Sequence, residues 1–276
     1  MRQAFSIIVL GLTLLPMGLA PASLHAQELD ELDTPTFDSD WEFQLTPYLW
    51  LTSVDGEGTL GPLQSDVQAN FGDIVDDFDV WGVMGRLEAR RGRLSLFLDG
   101  MYISADKQET FTRGPVAAEF DADFELSTVE LGAAYELFDH RFDDGPGGIA
   151  FEALGGGRYT HYEQALGATG LGPFGITENL GGNADWVDPF VGGRIRLDLT
   201  DTLSLRAYGD VGGFDVGDAE LSWKARALLD WRVNQNISLL GGYQVYGLDF
   251  EEGSGRGRIG FDGHFHGPIF GVGLRF

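Results

Sequence analysis

Two histidines near the end of the chain, His264 and His266, are separated by a single residue. Side chains two positions apart in a β-strand project from the same face, so the two imidazoles could share one metal ion. The nearby acids Asp249, Glu251 and Glu252 could instead pair with an imidazole for acid–base chemistry. The sequence shows no evident third metal ligand and no nucleophile beside the histidines. It therefore predicts no metal site, no cofactor and no catalytic residue, with His264 and His266 as weak metal candidates.

A larger set of charged residues alternates with apolar residues along much of the chain. Successive side chains of a strand point to opposite faces, so this alternation places the charges on one face and the apolar residues on the other. Charges enclosed in a narrow barrel must be paired or hydrated, because an unpaired desolvated ion is too costly. We predict a lumen charge network formed by Arg86, Glu88, Asp99, Glu130, Glu152, Arg158, Arg194, Arg196, Arg206, Asp210, Lys224, Arg226, Asp230 and Arg232.

This network has two interpretations. It could fill and stiffen the lumen as a purely structural array of ion pairs. It could also form a polar track for a small solute, because several glycines share the inward parity and would leave room. These glycines are Gly82, Gly132, Gly192, Gly212 and Gly271.

The composition excludes several classes of protein. Asp and Glu number 43 against 18 Lys and Arg, and the net charge of −25 argues against binding to nucleic-acid phosphates. The absence of cysteine removes disulfides and thiolate metal sites. No apolar run after residue 26 approaches the roughly 18 residues that a membrane-spanning helix needs. Strands of a membrane barrel need only every second residue to be apolar.

The first 40 residues are predicted to lie outside the folded domain. Residues 1–26 resemble a cleaved secretory signal peptide, with Arg2 before an apolar core and Leu24-His25-Ala26 as the cleavage site. Residues 27–40 form an acidic segment without apolar periodicity, which predicts a disordered periplasmic arm. Residues 41–276 form the remaining domain.

The domain contains about ten alternating segments, joined by connections that are short and long in turn. Long connections are predicted from the end of the first strand to about residue 79, over residues 105–121 and, rich in glycine, over residues 164–183. Short turns at Arg91, Asp139, Asp201 and Gln235 are typical of the periplasmic side of a membrane barrel. We therefore predict an all-β fold, a transmembrane antiparallel up-and-down β-barrel of ten strands, with eight or twelve as alternatives. After the first strand, residues 70–78 have helical apolar spacing and form either a short plug helix or a loop.

The last segment alternates and ends on an aromatic residue. Phe270, Val272, Leu274 and Phe276 share one face. This pattern resembles the C-terminal assembly signal of outer-membrane β-barrels. The resemblance implies that barrel assembly machinery and periplasmic chaperones are partners.

Two further stretches, WEFQLTPYLWLTSVDG and EARRGRLSLFLDGMY, resemble an uncharacterised group of proteobacterial outer-membrane barrels. This resemblance implies the outer membrane of a Gram-negative bacterium as the location, and lipid and lipopolysaccharide as surroundings. It implies no activity. The predicted outline also resembles the ten-stranded outer-membrane proteases, without a shared catalytic motif. Three functions stay open: a non-enzymatic, porin-like barrel that binds or passes small solutes, a protease or lipid-modifying enzyme at the rim, and a loop-based adhesin or receptor.

Overall fold

The computed structural model describes residues 40–113, 116–143, 145–171, 177–216 and 219–276. The predicted signal peptide and almost all of the predicted acidic arm lie outside these residues. The elements, in chain order, are β1 (Glu42–Trp50), β2 (Ser53–Leu60), β3 (Leu63–Ala69), α1 (Phe71–Asp77), β4 (Asp79–Arg91), β5 (Leu94–Arg113), β6 (Val116–Arg141), β7 (Gly148–Leu171), β8 (Thr177–Asp198), β9 (Leu203–Val216), β10 (Ala219–Arg232), β11 (Ile237–Glu252) and β12 (Ile259–Arg275).

Ten of these strands close into an antiparallel ring. β1 pairs with β4, strands β4 to β12 follow in chain order, and β12 pairs back to β1. Neighbouring strands in sequence are neighbours in the ring, which is the up-and-down arrangement predicted from the alternation, and the predicted number of ten strands is confirmed. We call the end that carries the tight connections after β4, β6, β8 and β10 the turn end, and the opposite end the loop end.

β2 and β3 are additional to the ring. β1 pairs with β4 only up to Pro47, opposite Gly85, and proline has no N–H with which to continue the ladder. β2 continues along β12 from Ser53, and β3 folds back on β2 as a hairpin. The helical spacing of residues 70–78 is confirmed by α1, which joins β3 to β4, but α1 has no buried residue and so does not form a plug.

Two long connections predicted from the sequence are strands instead. Residues 105–121 were expected to form a loop, but β5 and β6 pair from Leu94 as far as Arg113. Residues 164–183 were expected to form a glycine-rich connection, but β7 and β8 pair through Ala165 and Leu166 to Thr169. These segments are polar or glycine-rich because they extend beyond the apolar part of the wall, where neither face needs to be uniformly apolar.

The two faces of the wall differ as the alternation predicts. Large apolar side chains such as Val83, Leu131, Val187 and Trp231 are exposed on the outside. Their inward neighbours are buried or line the lumen, so the outer surface carries an apolar belt that suits lipid rather than water. Among the described residues, no helix is long and apolar enough to cross a membrane.

The C-terminal residue takes part in closing the ring. The Phe276 N–H donates to the Phe43 carbonyl at 3.0 Å, and the Phe43 N–H donates to the Phe276 carbonyl at 3.1 Å. Their rings stack with centroids 5.9 Å apart. Phe270, Val272 and Phe276 are exposed on the outer face, and Leu274 is half-buried.

Candidate functional site

The lumen differs along its length, and its loop half is filled by apolar side chains. The buried cluster includes Trp186, Tyr246, Phe250, Phe261 and Phe265. Phe250 lies with its ring centroid 4.7 Å from that of Trp186, a distance typical of direct aromatic packing. We call this cluster the aromatic layer. It leaves no polar track through the part of the lumen that it fills.

A buried ionic layer lies against the aromatic layer and is centred on Arg158, whose side chain has 0% exposure. Its Nε donates to Glu130 at 2.8 Å and its Nη2 donates to Asp210 at 2.6 Å. Nη1 donates to the Ser222 hydroxyl at 2.9 Å. Lys224 makes a second ion pair with Glu130. All three nitrogens of the guanidinium are thus paired, as a buried cation requires.

The turn half of the lumen holds a cavity of about 660 Å³. Gln235 and Asn236, in the turn after β10, border it, so it reaches the turn end. Four carboxylates line it, from Glu42, Glu88, Glu152 and Asp198. The arginines that line it outnumber these acids: they are Arg86, Arg90, Arg141, Arg194, Arg196, Arg206, Arg226, Arg232 and Arg275.

Three ion pairs around the cavity leave the arginine more exposed than its acidic partner. The Asp230 side chain is 2% exposed and that of Arg206, its partner at 2.5 Å, is 35% exposed. The Asp99 side chain is 3% exposed and that of Arg86, its partner at 3.2 Å, is 14% exposed. Arg90, more exposed than the Glu152 carboxylate that it pairs with, follows the same order. Glu88 departs from this order, because its side chain is as exposed as that of Arg194, its partner at 2.7 Å.

Several ion pairs around the cavity share a partner. Arg194 binds Glu88 through both terminal nitrogens, at 2.7 and 2.8 Å, and also pairs with Glu152. Arg196 pairs with Asp139 at 3.1 Å. The structure thus divides the predicted network into two groups. Glu130, Arg158, Asp210 and Lys224 belong to the buried layer. The cavity group comprises Arg86, Glu88, Asp99, Glu152, Arg194, Arg196, Arg206, Arg226, Asp230 and Arg232.

Three of the five glycines that the sequence suggested, Gly132, Gly192 and Gly212, leave no free space, whereas Gly271 lines the turn-end cavity. A Cβ on Gly132 would lie 2.4 Å from the Phe97 ring, so the ring occupies the place of a side chain there. A Cβ on Gly156 would lie 2.9 Å from the Phe190 ring. These glycines allow aromatic rings to lie against the wall, and the open volume is at the turn end instead.

Neutral polar residues complete the network, and charge patterning alone did not reveal them. The Tyr48 hydroxyl donates to Asp99 at 2.7 Å, and Arg226 donates to Gln244 at 2.6 Å. Ser222 donates to Asp188 at 2.7 Å. Their inward parity was visible in the sequence, but a tyrosine or serine at an inward position carries no signal of a charged partner on a distant strand.

A second polar cluster lies on the outer face, on the loop side of the apolar belt. Tyr243 Oη is 2.6 Å from His266 Nδ1, and Asp55 Oδ2 is 2.7 Å from His266 Nε2. The His264 ring centroid is 5.3 Å from that of His266. Hydrogen bonds from His266 and then from Gln68 lower the pKa of Asp55.

Asp55 is the acidic partner of His266 that the sequence did not reveal. It lies more than 200 residues before the histidines and reaches them only because β2 pairs with β12, with Asp55 opposite His264. Of the acids considered from the sequence, Glu251 pairs with Arg258 at 2.5 Å. Asp249 lies opposite Asp262, further toward the loop end.

Comparisons with known proteins identify the fold and no family. No protein-family model and no curated protein matches this sequence. Among solved structures, the outer membrane protease OmpT from Escherichia coli matches with a TM-score of 0.51 and 10% identity, covering 88% of this chain and 99% of that one. The translocator domain of the autotransporter NalP from Neisseria meningitidis matches with a TM-score of 0.39 and 15% identity, covering 86% and 88%. The similarity to OmpT supports an outer-membrane β-barrel fold and says nothing about activity.

Proposed function

We propose that this chain is a non-enzymatic outer-membrane β-barrel that binds small anionic solutes in the cavity at its turn end. The cavity of about 660 Å³ lined by nine arginines and four carboxylates is the observation that carries this proposal. The apolar belt supports insertion into lipid, with lipopolysaccharide around the loop end. The resemblance to exported barrels supports a cleaved signal peptide, delivery by periplasmic chaperones and insertion by the assembly machinery.

Charge argues for an anion. The whole chain carries a net charge of −25, yet nine arginines and only four carboxylates line the cavity. One buried nitrogen on each of Arg86, Arg206 and Arg226 has no hydrogen-bond acceptor among the described residues. A small rotation of these side chains toward a carboxylate or phosphate ligand would supply acceptors, and guanidinium groups match the planar or tetrahedral oxygens of such ligands.

The closed loop half argues for binding rather than passage. A solute that entered at the turn end would meet the Arg158 layer and then the aromatic layer. Crossing the first layer would break ion pairs that have no access to water, and crossing the second would displace packed rings. We infer that the cavity is a dead end in this conformation.

Titration calorimetry of the refolded chain tests the proposal, with inorganic phosphate and citrate as anionic probes and glucose as a neutral one. We expect saturable binding of an anion and none of glucose. Arg206→Gln should weaken binding about tenfold or more, the loss expected for one charge-assisted hydrogen bond. The matched control is Arg258→Gln, because Arg258 is also ion-paired but lies at the loop end. Equal losses in both variants, or no anion binding, would refute an anion site in this cavity.

Planar-bilayer recording tests the closed lumen separately. We expect no steady conductance from the refolded chain, and a stable open channel would contradict the dead-end cavity.

Orientation has its own test, since we place the turn end in the periplasm. Epitope tags at Asp201 or Gln235 should be protected from protease on intact cells, and their cleavage would reverse the topology.

A further inference from the structure

We propose that Asp55, His264 and His266 form a binding site for a divalent transition-metal ion of the zinc type on the outer face of the barrel. One ligand atom from each residue lies within 4.8 Å of the others. The pairing of β2 with β12 brings them together, with Asp55 opposite His264 and Ser53 opposite His266. This site is remote from the turn-end cavity and does not depend on the solute proposed for it.

The donor set favours zinc over the alkaline-earth cations. Two imidazole nitrogens and one carboxylate are ligands typical of three-residue zinc sites, in which a water or another molecule occupies the fourth position. Calcium takes six to eight oxygen ligands, and magnesium keeps an octahedral shell of oxygen. One carboxylate beside two imidazoles meets neither requirement.

His266 already has the second hydrogen bond that metal-bound histidines usually make. Tyr243 Oη lies 2.6 Å from Nδ1, on the side of the ring away from Asp55. In a neutral, metal-free ring, an ionised Asp55 can only accept, so Nε2–H would donate to it and Nδ1 would accept from the Tyr243 hydroxyl. With a metal on Nε2, the ring carries its proton on Nδ1 and donates it to Tyr243 Oη. Tyr243 can thus hold the tautomer that binds a metal, as second-shell partners do.

The surroundings leave room for the ion. The side chains of Asp55 and His266 are 31% and 24% exposed, so neither is locked in the wall. The ion would replace the proton shared by Asp55 and His266, and a rotation of the His264 ring would bring the third ligand atom into range. Because the side chains project outward, the fourth position faces the surroundings of the barrel and not its lumen.

The ligands also span a particular part of the fold. β2 carries Asp55 and pairs with β3, the hairpin that is additional to the ten-stranded ring. β12 carries both histidines and belongs to the ring. A bound ion would therefore cross-link the hairpin to the ring, and it would stabilise the folded chain as any ligand specific for the native state does.

The test uses the full refolded chain, freed of lipopolysaccharide and treated with chelator. Zn²⁺ is titrated by calorimetry, and Co²⁺ is titrated by absorption spectroscopy, which reports the coordination geometry. We expect one ion per chain, protons released on binding, and a Co²⁺ spectrum of tetrahedral type. Calcium at the same concentration should not compete.

Variants assign the ligands. His264→Ala and Asp55→Asn should each abolish saturable binding, and Tyr243→Phe should weaken it by roughly 10- to 100-fold without abolishing it. The control is His161→Ala, because His161 is also an outer-face histidine hydrogen-bonded to an aspartate, Asp185, at 2.8 Å. It should bind Zn²⁺ like the parent chain. Heat-modifiable gel mobility verifies that each variant is folded.

Two results would overturn the proposed metal site. The first is a folded parent chain that binds neither Zn²⁺ nor Co²⁺ in a saturable way. The second is an equal loss of binding in His264→Ala and His161→Ala, which would indicate scattered surface sites. A Tyr243→Phe variant that binds with parent affinity would instead overturn the proposed role of Tyr243 in holding the His266 tautomer.

Discussion

Arg158 and Arg206 place the same guanidinium group in two different parts of one lumen. Arg158, with 0% side-chain exposure, has each nitrogen paired. Arg206 is 35% exposed and borders the turn-end cavity, and its Nε has no acceptor among the described residues. Arg158 is thus a structural cation, and Arg206 is presented to solvent.

The difference between the two arginines follows from what surrounds each of them. Next to the aromatic layer, water is excluded, so a charge is tolerated only when all its donors are satisfied. At the turn end, water reaches the side chains and hydrates the guanidinium groups, so not every guanidinium nitrogen needs a protein acceptor. The apolar packing in the loop half thus decides which ion pairs are structural and which are available to a ligand.

The largest expected effect is on the buried layer. Arg158→Met should lower the free energy of unfolding by about 3–5 kcal/mol, because it leaves Glu130 and Asp210 short of a buried partner. Arg206→Met should cost less than about 1 kcal/mol, since Asp230 keeps Arg275 at 3.5 Å. Urea unfolding of the refolded variants measures both values. Similar losses would mean that the two parts of the lumen do not differ as described.

Removing one ring from the aromatic layer should have the next largest effect. Phe250→Ala should cost about 3 kcal/mol, because its ring packs against Trp186 and Tyr162 and the resulting void cannot fully collapse. Phe270→Ala, on the outer face of β12, is the control and should cost clearly less. Anion binding at the turn end should be unchanged in both variants. A loss of binding in Phe250→Ala would show that the two halves are coupled.

The sequence predicted the strands and faces of the barrel wall better than it predicted the packing of side chains in the lumen. Alternation between residues such as Leu229 and Asp230 requires only a periodicity of two, so faces and strand number were recoverable. The alternation did not reveal that Arg158 and Arg206 have different roles, since both stand at inward positions beside outward apolar residues. Which role each has depends on the residues of distant strands that lie at the same height in the barrel. β2 was missed because a polar outward face resembles a loop.

Salt should distinguish the turn-end cavity from the buried ionic layer, and its effect should be smaller than those of the two core substitutions. Raising the ionic strength from about 0.01 to 1 M shortens the Debye length from about 30 to 3 Å. The affinity of the turn-end cavity for citrate should fall several-fold, because its arginines are hydrated. The thermal midpoint of the unliganded chain should change little, because the ion pairs of Arg158 are shielded from mobile ions. Calorimetry and thermal melts over the same salt series give both quantities, and a salt-independent citrate affinity would contradict a hydrated arginine site.

A small effect on stability is also expected at the C-terminal residue, which borders the cavity and not the packed layers. Phe276 has 70% exposure, so its ring contributes only about 1–2 kcal/mol through partial burial and stacking on Phe43. The two backbone hydrogen bonds with Phe43 are also lost in a chain that ends at Arg275, but the β1–β12 ladder continues from Gln44 opposite Arg275. Chain ΔPhe276 refolded in detergent should therefore melt close to the parent chain.

Assembly in cells is a different measurement, because recognition of a terminal aromatic would precede folding. If the last strand is an assembly signal, ΔPhe276 should reach the outer membrane in reduced amount and be degraded in the periplasm. Quantifying membrane-inserted chain in cells, beside the melt in vitro, separates the two roles. Deleting the signal should thus reduce insertion far more than it reduces stability. Insertion at the parent level would remove the assembly role, and a collapse of stability in vitro would instead make Phe276 a structural residue of the turn end.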